Sequence, residues 1–379
     1  MQSKLNLRSG RVLSALAPCM LLFAQAPAMS ASDGDSGGAV YVMTNSASGN
    51  AVMVYEREED GTLIHTQDVL TGGAGSGGSK DPLGSQGALT LSKDGHFLFA
   101  VNAGSSDLSV LEVSADGVSL KTRVPSGGTR PVSVTVHDGL VYVLNAGGVP
   151  NVTGFRLTPW GQLGPIGSHP LAGGVNSGPA EVSFTPDGGL LFVTEKNSNL
   201  IDVFSVDQRG HIDGSFSGKS NNTTPFGFTF ARHQVLLITE VGNGVNASTM
   251  SSYAVSDDDA DSDAFRTVSK SVPVDQTATC WVVATRNGRF AFTANTANDT
   301  IASFRVSARG ALTLIKSNAG EVSHGSIPTD MALTDDSRFL YVIGAGTGSL
   351  TGFQVDRGDL SPATTVTGIP ASAQGIAAR

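Results

Sequence analysis

A short strand motif recurs along this chain and constrains its fold more than any other feature. Residues 289–317 contain one complete copy, in which RFAFTAN ends at Asn295, DTIASFRV follows, and a glycine turn leads into ALTLIKS. Each segment alternates apolar with small or polar residues, which is typical of half-buried strands. CWVVATRNGR, just upstream, supplies a fourth strand with its own Asn-Gly turn. Four short antiparallel strands joined by tight turns predict one blade of a β-propeller.

The outer part of this unit occurs seven times, at a spacing of roughly 50 residues that suits propeller blades. The strand that matches RFAFTAN ends at Asn45, Asn102, Asn145, Glu195, Glu240, Asn295 and Gly344. The strand after it carries a large apolar residue at a fixed position, namely Tyr55, Leu111, Phe155, Phe204, Tyr253, Phe304 and Phe353. Sheets stacked face to face require one such side chain per blade, so we predict that all seven are core residues.

The innermost strands predict how the ring closes. Six of them precede their outer strands along the chain, but AVYVMTN near the N-terminus has none before it. The C-terminal SAQGIAAR has the right character to fill this gap. We therefore predict an all-β fold, a single seven-bladed β-propeller over residues 39–379, whose ring is closed by the C-terminal strand completing the first blade.

The N-terminal segment predicts export. Lys4, Arg8 and Arg11 precede an apolar run over residues 12–23, and small residues follow it, so residues 1–31 are interpreted as a secretory signal peptide. The run is too short to span a bilayer, and a Gly/Ser/Asp linker follows over residues 32–38. We expect a secreted or periplasmic protein with no membrane insertion after leader cleavage.

Charge and cysteine content narrow the partners and the chemistry. The leader carries three basic residues and no acidic ones, so its loss changes the formal net charge from -9 to -12. An acidic surface repels phosphate backbones, and we expect no nucleic-acid partner. Cys280 is the only cysteine left after cleavage, so the fold cannot depend on an internal disulfide.

Seven motifs together resemble one protein family. They are GSQGAL (84–89), GGTRPVS (127–133), GPAEVSFTPDG (178–188), LLFVTEKNSNLIDVF (190–204), TPFGFTF (224–230), ATCWVV (278–283) and PTDMAL (328–333). Over essentially all of residues 39–379 the chain is similar to the secreted seven-bladed lactonase-like propellers, which include propeller-type 6-phosphogluconolactonases and carboxymuconate cyclases. The resemblance implies action on a small carboxylated lactone or its open-chain isomer, without a metal or organic cofactor.

A propeller gathers its candidate functional residues on one face. The loops that enter the innermost strands and those that follow the second strands both lie on the face around the central channel. Candidate catalytic residues there are Glu195, Glu240 and Arg130, and candidate substrate-binding residues are Lys196, Glu181, His324, Asp330 and Gln86. A carboxylate at this place could act as a general base on water, and a guanidinium could bind a substrate carboxylate or an oxyanion. The alternative is a ring of hydrogen bonds that ties adjacent blades together.

The family resemblance bears on four of these positions. Glu195 matches an acidic residue that is a proposed catalytic carboxylate in carboxymuconate cyclases. Other family members carry Arg-His after Gly-Pro, and this chain has Ala180-Glu181 at that place. Arg130 or His324, from other blades, could take the place of the absent Arg-His pair. His324 has no second histidine at ligand spacing, so we predict no catalytic metal.

A glycine-rich stretch precedes the second blade. Residues 72–84 lack the Gly-Lys-Ser/Thr of a phosphate loop and lead into a strand rather than a helix. We interpret them as a mobile loop on the channel side.

Two functions stay open. The first is an exported lactonase-like enzyme for a sugar lactone or a carboxymuconate-type lactone, in which Glu195 activates water, Glu240 tunes it, and Arg130 or Lys196 holds the anionic group. The second is a non-catalytic secreted propeller that binds a cell-wall component, a small ligand or a protein. Strongly shifted carboxylates in a closed pocket would favour the enzyme, and a shallow channel with every polar group paired would favour the binder. We expect a monomer.

Overall fold

The computed structural model describes residues 38–256 and 260–379, which form seven four-stranded antiparallel sheets. The sheets are the seven blades of a propeller around a central channel, as predicted. The predicted leader, residues 1–31, and residues 32–37 of the linker lie outside the described residues. Within the described part of the chain, no helix has the length and apolar character needed to cross a bilayer.

The strands are given from the channel outwards, with blades numbered 1 to 7 in the order of their second strands. The innermost strands of blades 1 to 7 are β28 (Ile376–Ala378), β4 (Leu89–Leu91), β8 (Thr129–His137), β12 (Pro179–Phe184), β16 (Pro225–Ala231), β20 (Thr279–Ala284) and β24 (Pro328–Leu333). The second strands are β1 (Ala39–Met43), β5 (Phe97–Asn102), β9 (Leu140–Gly147), β13 (Leu190–Glu195), β17 (Val235–Glu240), β21 (Phe290–Asn295) and β25 (Phe339–Gly344).

The two outer layers follow the same order. The third strands are β2 (Ala51–Arg57), β6 (Asp107–Ser114), β10 (Asn151–Leu157), β14 (Leu200–Val206), β18 (Thr249–Val255), β22 (Thr300–Val306) and β26 (Ser349–Asp356). The outermost strands are β3 (Leu63–Leu70), β7 (Gly117–Pro125), β11 (Leu163–Pro170), β15 (Ile212–Lys219), β19 (Phe265–Pro273), β23 (Leu312–Glu321) and β27 (Asp359–Thr367). Two single-turn 3-10 helices lie between strands, at Gly174–Asn176 and Arg232–Gln234.

The ring closes as the sequence predicts. Strand β28 pairs antiparallel with β1, with Val40 opposite Ala378 and Val42 opposite Ile376. Blade 1 therefore takes its innermost strand from the end of the chain and its other three from the beginning. Because both ends of the propeller share one sheet, the ring has no open edge between its first and last blades.

The core lies between the blades. All seven predicted core residues of the third strands are buried, from Tyr55 in blade 1 to Phe353 in blade 7. Each fills the space between its own sheet and a neighbouring sheet. Full burial of a side chain of this size contributes roughly 1.5–3 kcal/mol to stability, so the stacked blades are held mainly by this apolar layer.

The innermost strands carry irregularities that aim side chains at the channel. A β-bulge lies at the start of β12 between Pro179 and Glu181, and another lies at the start of β24 between Thr329 and Met331. A bulge gives one strand an extra residue and turns the following side chain away from the regular alternation. Glu181 directly follows the extra residue of the first bulge, Asp330 is the extra residue of the second, and both side chains are buried.

Candidate functional site

Residues 81–86, here called the crossing segment, lie over the central channel on the face where the innermost strands begin. The side chain of Gln86 bonds both backbone groups of Val282, accepting from the amide at 2.9 Å and donating to the carbonyl at 3.0 Å. The side-chain amide also donates to the carbonyl of Phe228 at 3.2 Å, and the backbone amide of Gln86 donates to the Ala180 carbonyl at 3.1 Å. One residue of blade 2 thus joins blades 4, 5 and 6 across the channel.

Two buried carboxyl groups lie beneath the crossing segment. Glu181 accepts from the Phe228 amide at 2.6 Å and from Gln86 Nε2 at 3.3 Å. Asp330 accepts from the Met331 amide at 3.0 Å through Oδ1, and its buried Oδ2 has no hydrogen-bond partner. Burial raises the pKa of Glu181 well above its ordinary value, and burial raises the pKa of Asp330 to about 8. At neutral pH Asp330 is therefore mainly protonated.

Lys196 anchors the rim of the channel above these acids. Its Nζ donates to the carbonyl of Gly84 in the crossing segment and to the carbonyl of Pro179 at 3.4 Å. It also lies 5.1 Å from the centre of the Phe226 ring, within the range of a cation–π interaction. Burial lowers the pKa of Lys196, and the nearby charge of Asp81 acts in the opposite direction.

Asp81 opens the crossing segment and is tied to the C-terminal end of the propeller. Its Oδ1 accepts from Gln374 Nε2 at 2.6 Å, and the same nitrogen donates to the Ser85 carbonyl at 2.8 Å. Burial raises the pKa of Asp81, while the Gln374 hydrogen bond and the Lys196 charge partly offset that rise. The segment that closes the ring thus also positions a carboxylate at the channel mouth.

Arg130 completes the charged cluster at the mouth. Its guanidinium is exposed and donates from Nη2 to the Pro82 carbonyl at 3.0 Å, and its positive charge helps to lower the pKa of Lys196. We call Asp81, Lys196 and Arg130 the mouth site. Cys280 lies nearby, but burial raises the pKa of its thiol, which disfavours the reactive thiolate.

Glu195 lies away from the mouth site, in contacts between blades 3 and 4. It accepts from the Gly173 amide at 3.0 Å and from the hydroxyl of Ser198. Burial raises the pKa of Glu195 to about 7, and the neighbouring Asp202 carboxylate adds to the rise. Gly173 belongs to the connection from blade 3, so this carboxylate fastens that connection to the end of β13.

Glu240 occupies the equivalent place in blade 5. It accepts from Thr249 Oγ1 at 2.6 Å, from Ser251 Oγ at 2.9 Å, and from the Asn222 amide at 3.1 Å in the connection from blade 4. The amide side chain of Asn102 forms the matching network in blade 2. These contacts correspond to the alternative of an inter-blade hydrogen-bond ring, and the catalytic roles of Glu195 and Glu240 stay predictions.

His324 is fully exposed on the loop between blades 6 and 7. Its Nδ1 lies 3.6 Å from Oδ2 of Asp299, whose carboxylate accepts from the amides of Gly325 and Ile327. The structure therefore places His324 in a separate surface cluster. Within the described residues, no three His, Cys, Asp or Glu side chains come together in a group that could hold a metal ion.

The predicted residues fall into three groups. Gln86, Glu181 and Asp330 lie in the channel, Lys196 and Arg130 lie at its mouth, and Glu195, Glu240 and His324 lie elsewhere. Sequence reasoning missed Asp81 and Gln374. Asp81 could have been found from its position in the sequence, because it lies near the end of the glycine-rich residues 72–84 and just before the GSQGAL motif. Upstream, this stretch is held by hydrogen bonds from Gly75 to Ser46 and from Gly77 to Asn45.

A comparison with protein families gives a match over most of the chain. The model described as "Lactonase, 7-bladed beta-propeller" matches residues 32–169 and 237–375. Among curated proteins, no sequence matches the chain.

Solved structures with the same architecture cover nearly the whole chain. A Bacteroides fragilis protein, provisionally assigned as a 6-phosphogluconolactonase, is 19% identical with a TM-score of 0.69, and the alignment covers 92% of this chain and 99% of that one. A periplasmic gluconolactonase of Pseudomonas aeruginosa is 16% identical with a TM-score of 0.68, covering 89% and 98%. A Lactobacillus plantarum protein is 20% identical with a TM-score of 0.68, covering 90% and 98%. At these identities the similarity shows the fold alone.

Proposed function

The chain belongs to the lactonase family of seven-bladed β-propellers, and from this premise we propose that it hydrolyses a small carboxylated lactone at the mouth site. One observation carries the proposal: Asp81 and Lys196, both shifted in pKa by burial, bond to the same residue of the crossing segment, Gly84, beside the exposed guanidinium of Arg130. Titratable groups whose pKa values are perturbed by burial and by a specific charge partner are typical of catalytic sites.

Each member of the mouth site has spare capacity for a substrate. The Lys196 ammonium has three donors, and two of them go to the Gly84 and Pro179 carbonyls. Arg130 uses one guanidinium nitrogen on the Pro82 carbonyl, which leaves other N–H groups for a carboxylate. Asp81 is buried enough to have a raised pKa, which makes it a stronger base than an exposed aspartate.

The reaction assigns one step to each group. Asp81 accepts a proton from water as the water oxygen bonds to the lactone carbonyl carbon. Lys196 stabilises the negative charge that develops on the carbonyl oxygen, and Arg130 holds the substrate's carboxylate. The ring C–O bond then breaks, and Asp81 returns its proton to the departing alkoxide. The new carboxylic acid ionises in solution, so each turnover releases one proton.

The channel below the mouth site favours an enzyme over a shallow binding surface. Glu181 and Asp330 are enclosed carboxyl groups with raised pKa values, and Oδ2 of Asp330 is unpaired. A binding propeller with every channel group paired between blades would lack these features. A protonated Asp330 below the mouth also avoids repelling an anionic substrate above it.

Proton release by purified mature protein tests the proposal. The panel contains sugar lactones and carboxymuconolactones, and the key variant is Asp81→Asn, which keeps the acceptor for Gln374 but removes the base. We expect saturable release by the wild type and a loss of roughly 10²–10⁴-fold in this variant. Glu195→Gln serves as the comparison, and a thermal melt establishes that each variant is folded.

The outcomes separate the alternatives. Activity that survives Asp81→Asn but is lost in Glu195→Gln would move the base to Glu195 and refute the mouth site. No release on any compound would refute lactone hydrolysis and leave the non-catalytic binding propeller. The class of lactone that is turned over distinguishes a sugar substrate from a carboxymuconate-type substrate.

Export forms part of the same proposal. The pattern of residues 1–31 supports a cleaved leader, and one structural neighbour is a periplasmic gluconolactonase. Expression of the full-length chain, followed by cell fractionation and N-terminal sequencing, tests this point. A mature protein that begins near residue 32 in the periplasm or medium is expected, and an uncleaved cytoplasmic chain would refute export.

A further inference from the structure

A cavity of about 410 Å³ opens on the face opposite to the mouth site. Its charged and hydroxyl-bearing lining includes Lys93 from the β4–β5 turn of blade 2 and Arg286 from the β20–β21 turn of blade 6. Asp335 and Ser337 contribute from the β24–β25 turn of blade 7. We call this cavity the lower site. It shares none of these residues with the mouth site.

The lining residues place the lower site at the end of the central channel. Blades 7 and 2 are not neighbours, because blade 1 stands between them. Their residues can line one cavity only where the blades converge on the axis. Blade 1 leaves room there, since β28 and β1 come from opposite ends of the propeller and no hairpin turn joins them. The other six blades each have such a turn between their innermost and second strands.

Two positive charges at the lower site are uncompensated. Neither the Lys93 ammonium nor the Arg286 guanidinium forms an ion pair or hydrogen bond with any described residue. Ser337 Oγ accepts from the Arg286 amide at 2.9 Å, which leaves its hydroxyl proton available to donate. Asp335 is the single acidic residue among the described lining. The cavity thus carries a local excess of positive charge on a protein with a formal net charge of -9.

We propose that the lower site is a second binding site, which takes a small molecule through its carboxylate or phosphate oxygens. A guanidinium offers a planar fork to two oxygens of such a group, and an ammonium adds a compact point charge. Lys93 and Arg286 come from blades on different sides of the axis and line the same cavity, so both cations face one ligand space. The volume lies within the range of small-molecule pockets. The proposal does not depend on lactone hydrolysis.

Calorimetric titration of the mature protein with inorganic phosphate, and separately with succinate, tests the proposal. Low ionic strength keeps screening of these exposed charges weak. Saturable binding of at least one anion is expected, weakened at least tenfold in Lys93→Gln and in Arg286→Gln. Asp335→Asn is expected to strengthen binding because it removes the opposing charge. Phosphate binding alone identifies a phosphorylated ligand class, and succinate binding alone identifies a carboxylic acid.

Matched controls make the result specific. Arg266→Gln and Lys270→Gln remove exposed cations from β19 on the outer rim, and both variants should bind as the wild type does. Equal weakening in these controls would mean that general surface charge, not the lower site, attracts the anion, and would overturn the proposal. Absence of saturable binding by both anions would overturn it as well. Lactone turnover should be unchanged in Lys93→Gln, which separates this site from the proposed function.

Discussion

Replacement of Gln374 by leucine should weaken the fold and shift the pH dependence of the mouth site together. The Gln374 side chain is fully buried, and its Oε1 accepts from the Leu83 amide at 2.9 Å. Its Nε2 donates to Oδ1 of Asp81 at 2.6 Å and to the Ser85 carbonyl at 2.8 Å. Leucine leaves a buried amide and a buried carboxylate without these partners.

The magnitude follows from these contacts. An unsatisfied buried amide costs about 1–3 kcal/mol, and a lost hydrogen bond to a charged group costs about 1.5–3 kcal/mol. The apolar side chain of leucine recovers part of this through its own burial. We therefore expect the free energy of unfolding to fall by about 2–4 kcal/mol. Urea unfolding, followed by circular dichroism, measures the change in midpoint.

The pH effect has a defined sign. The Gln374 hydrogen bond lowers the pKa of Asp81 against the rise caused by burial. Its loss should raise that pKa further, so the acidic limb of the lactonase pH profile should move to higher pH. The same change deepens the stability loss as pH rises, because a carboxyl whose folded pKa is raised favours the folded state less once it ionises.

A matched glutamine provides the control. Gln67 also bonds one backbone residue of the next blade, with Nε2 donating to the Val118 carbonyl at 2.9 Å and Oε1 accepting from its amide at 3.1 Å. Gln67 is only partly buried and lies on β3, the outermost strand of blade 1, whereas Asp81 lies in the crossing segment over the channel. Gln67→Leu should cost less stability and leave the pH profile unchanged. A Gln374→Leu protein as stable as the wild type, or with an unmoved pH profile, would refute the reasoning.

Three further predictions concern closure of the ring and the channel. Removal of residues 374–379 should prevent cooperative folding, because it deletes β28 and Gln374 and opens an edge on β1. A melting curve without a sharp transition is expected. A sharp transition near that of the wild type would contradict the ring closure. The Asp330→Asn variant should gain stability relative to the wild type as pH rises from about 4 to about 8, because the raised pKa of Asp330 makes the wild type lose stability across that window. Urea unfolding midpoints are compared at pH 5 and pH 8. Midpoints that shift equally in both proteins would count against a protonated Asp330. Gly227→Ala should destabilise the fold by about 1–3 kcal/mol. A Cβ at this position would lie 2.3 Å from Gln86 Oε1 and 2.7 Å from the Cys280 carbonyl oxygen. An unchanged denaturation midpoint would show that the crossing segment moves aside without cost.

The architecture could be predicted because it rests on local patterns repeated many times. Strand alternation, tight turns and one large apolar residue per third strand recur in every blade, so an ambiguity in one copy is resolved by the others. The missing seventh innermost strand predicted the pairing of β28 with β1, which the structure has. Gln86, Glu181 and Asp330 could be assigned to the channel because innermost strands begin there.

The direction of a side chain at the end of a strand could not be predicted in this way. Glu195 and Glu240 end second strands on the channel face, as expected, yet their hydrogen bonds go to connections from the preceding blades. A strand end can present its side chain to the axis or to a neighbouring blade, and the choice depends on which donors the adjacent connection supplies. Those donors come from segments whose paths no repeat pattern specifies.

The sequence by itself determined the all-β class, the number of blades, the core positions and the closure of the ring, because each follows from periodic strands that must bury one face. Only the tertiary structure decided which polar groups meet at the channel mouth. Asp81 and Gln374 are separated by 293 positions, and closure of the ring brings them to 2.6 Å. Lys93 and Arg286 likewise reach one cavity only because their blades converge on a common axis. Such meetings depend on non-local geometry, which local sequence patterns do not record.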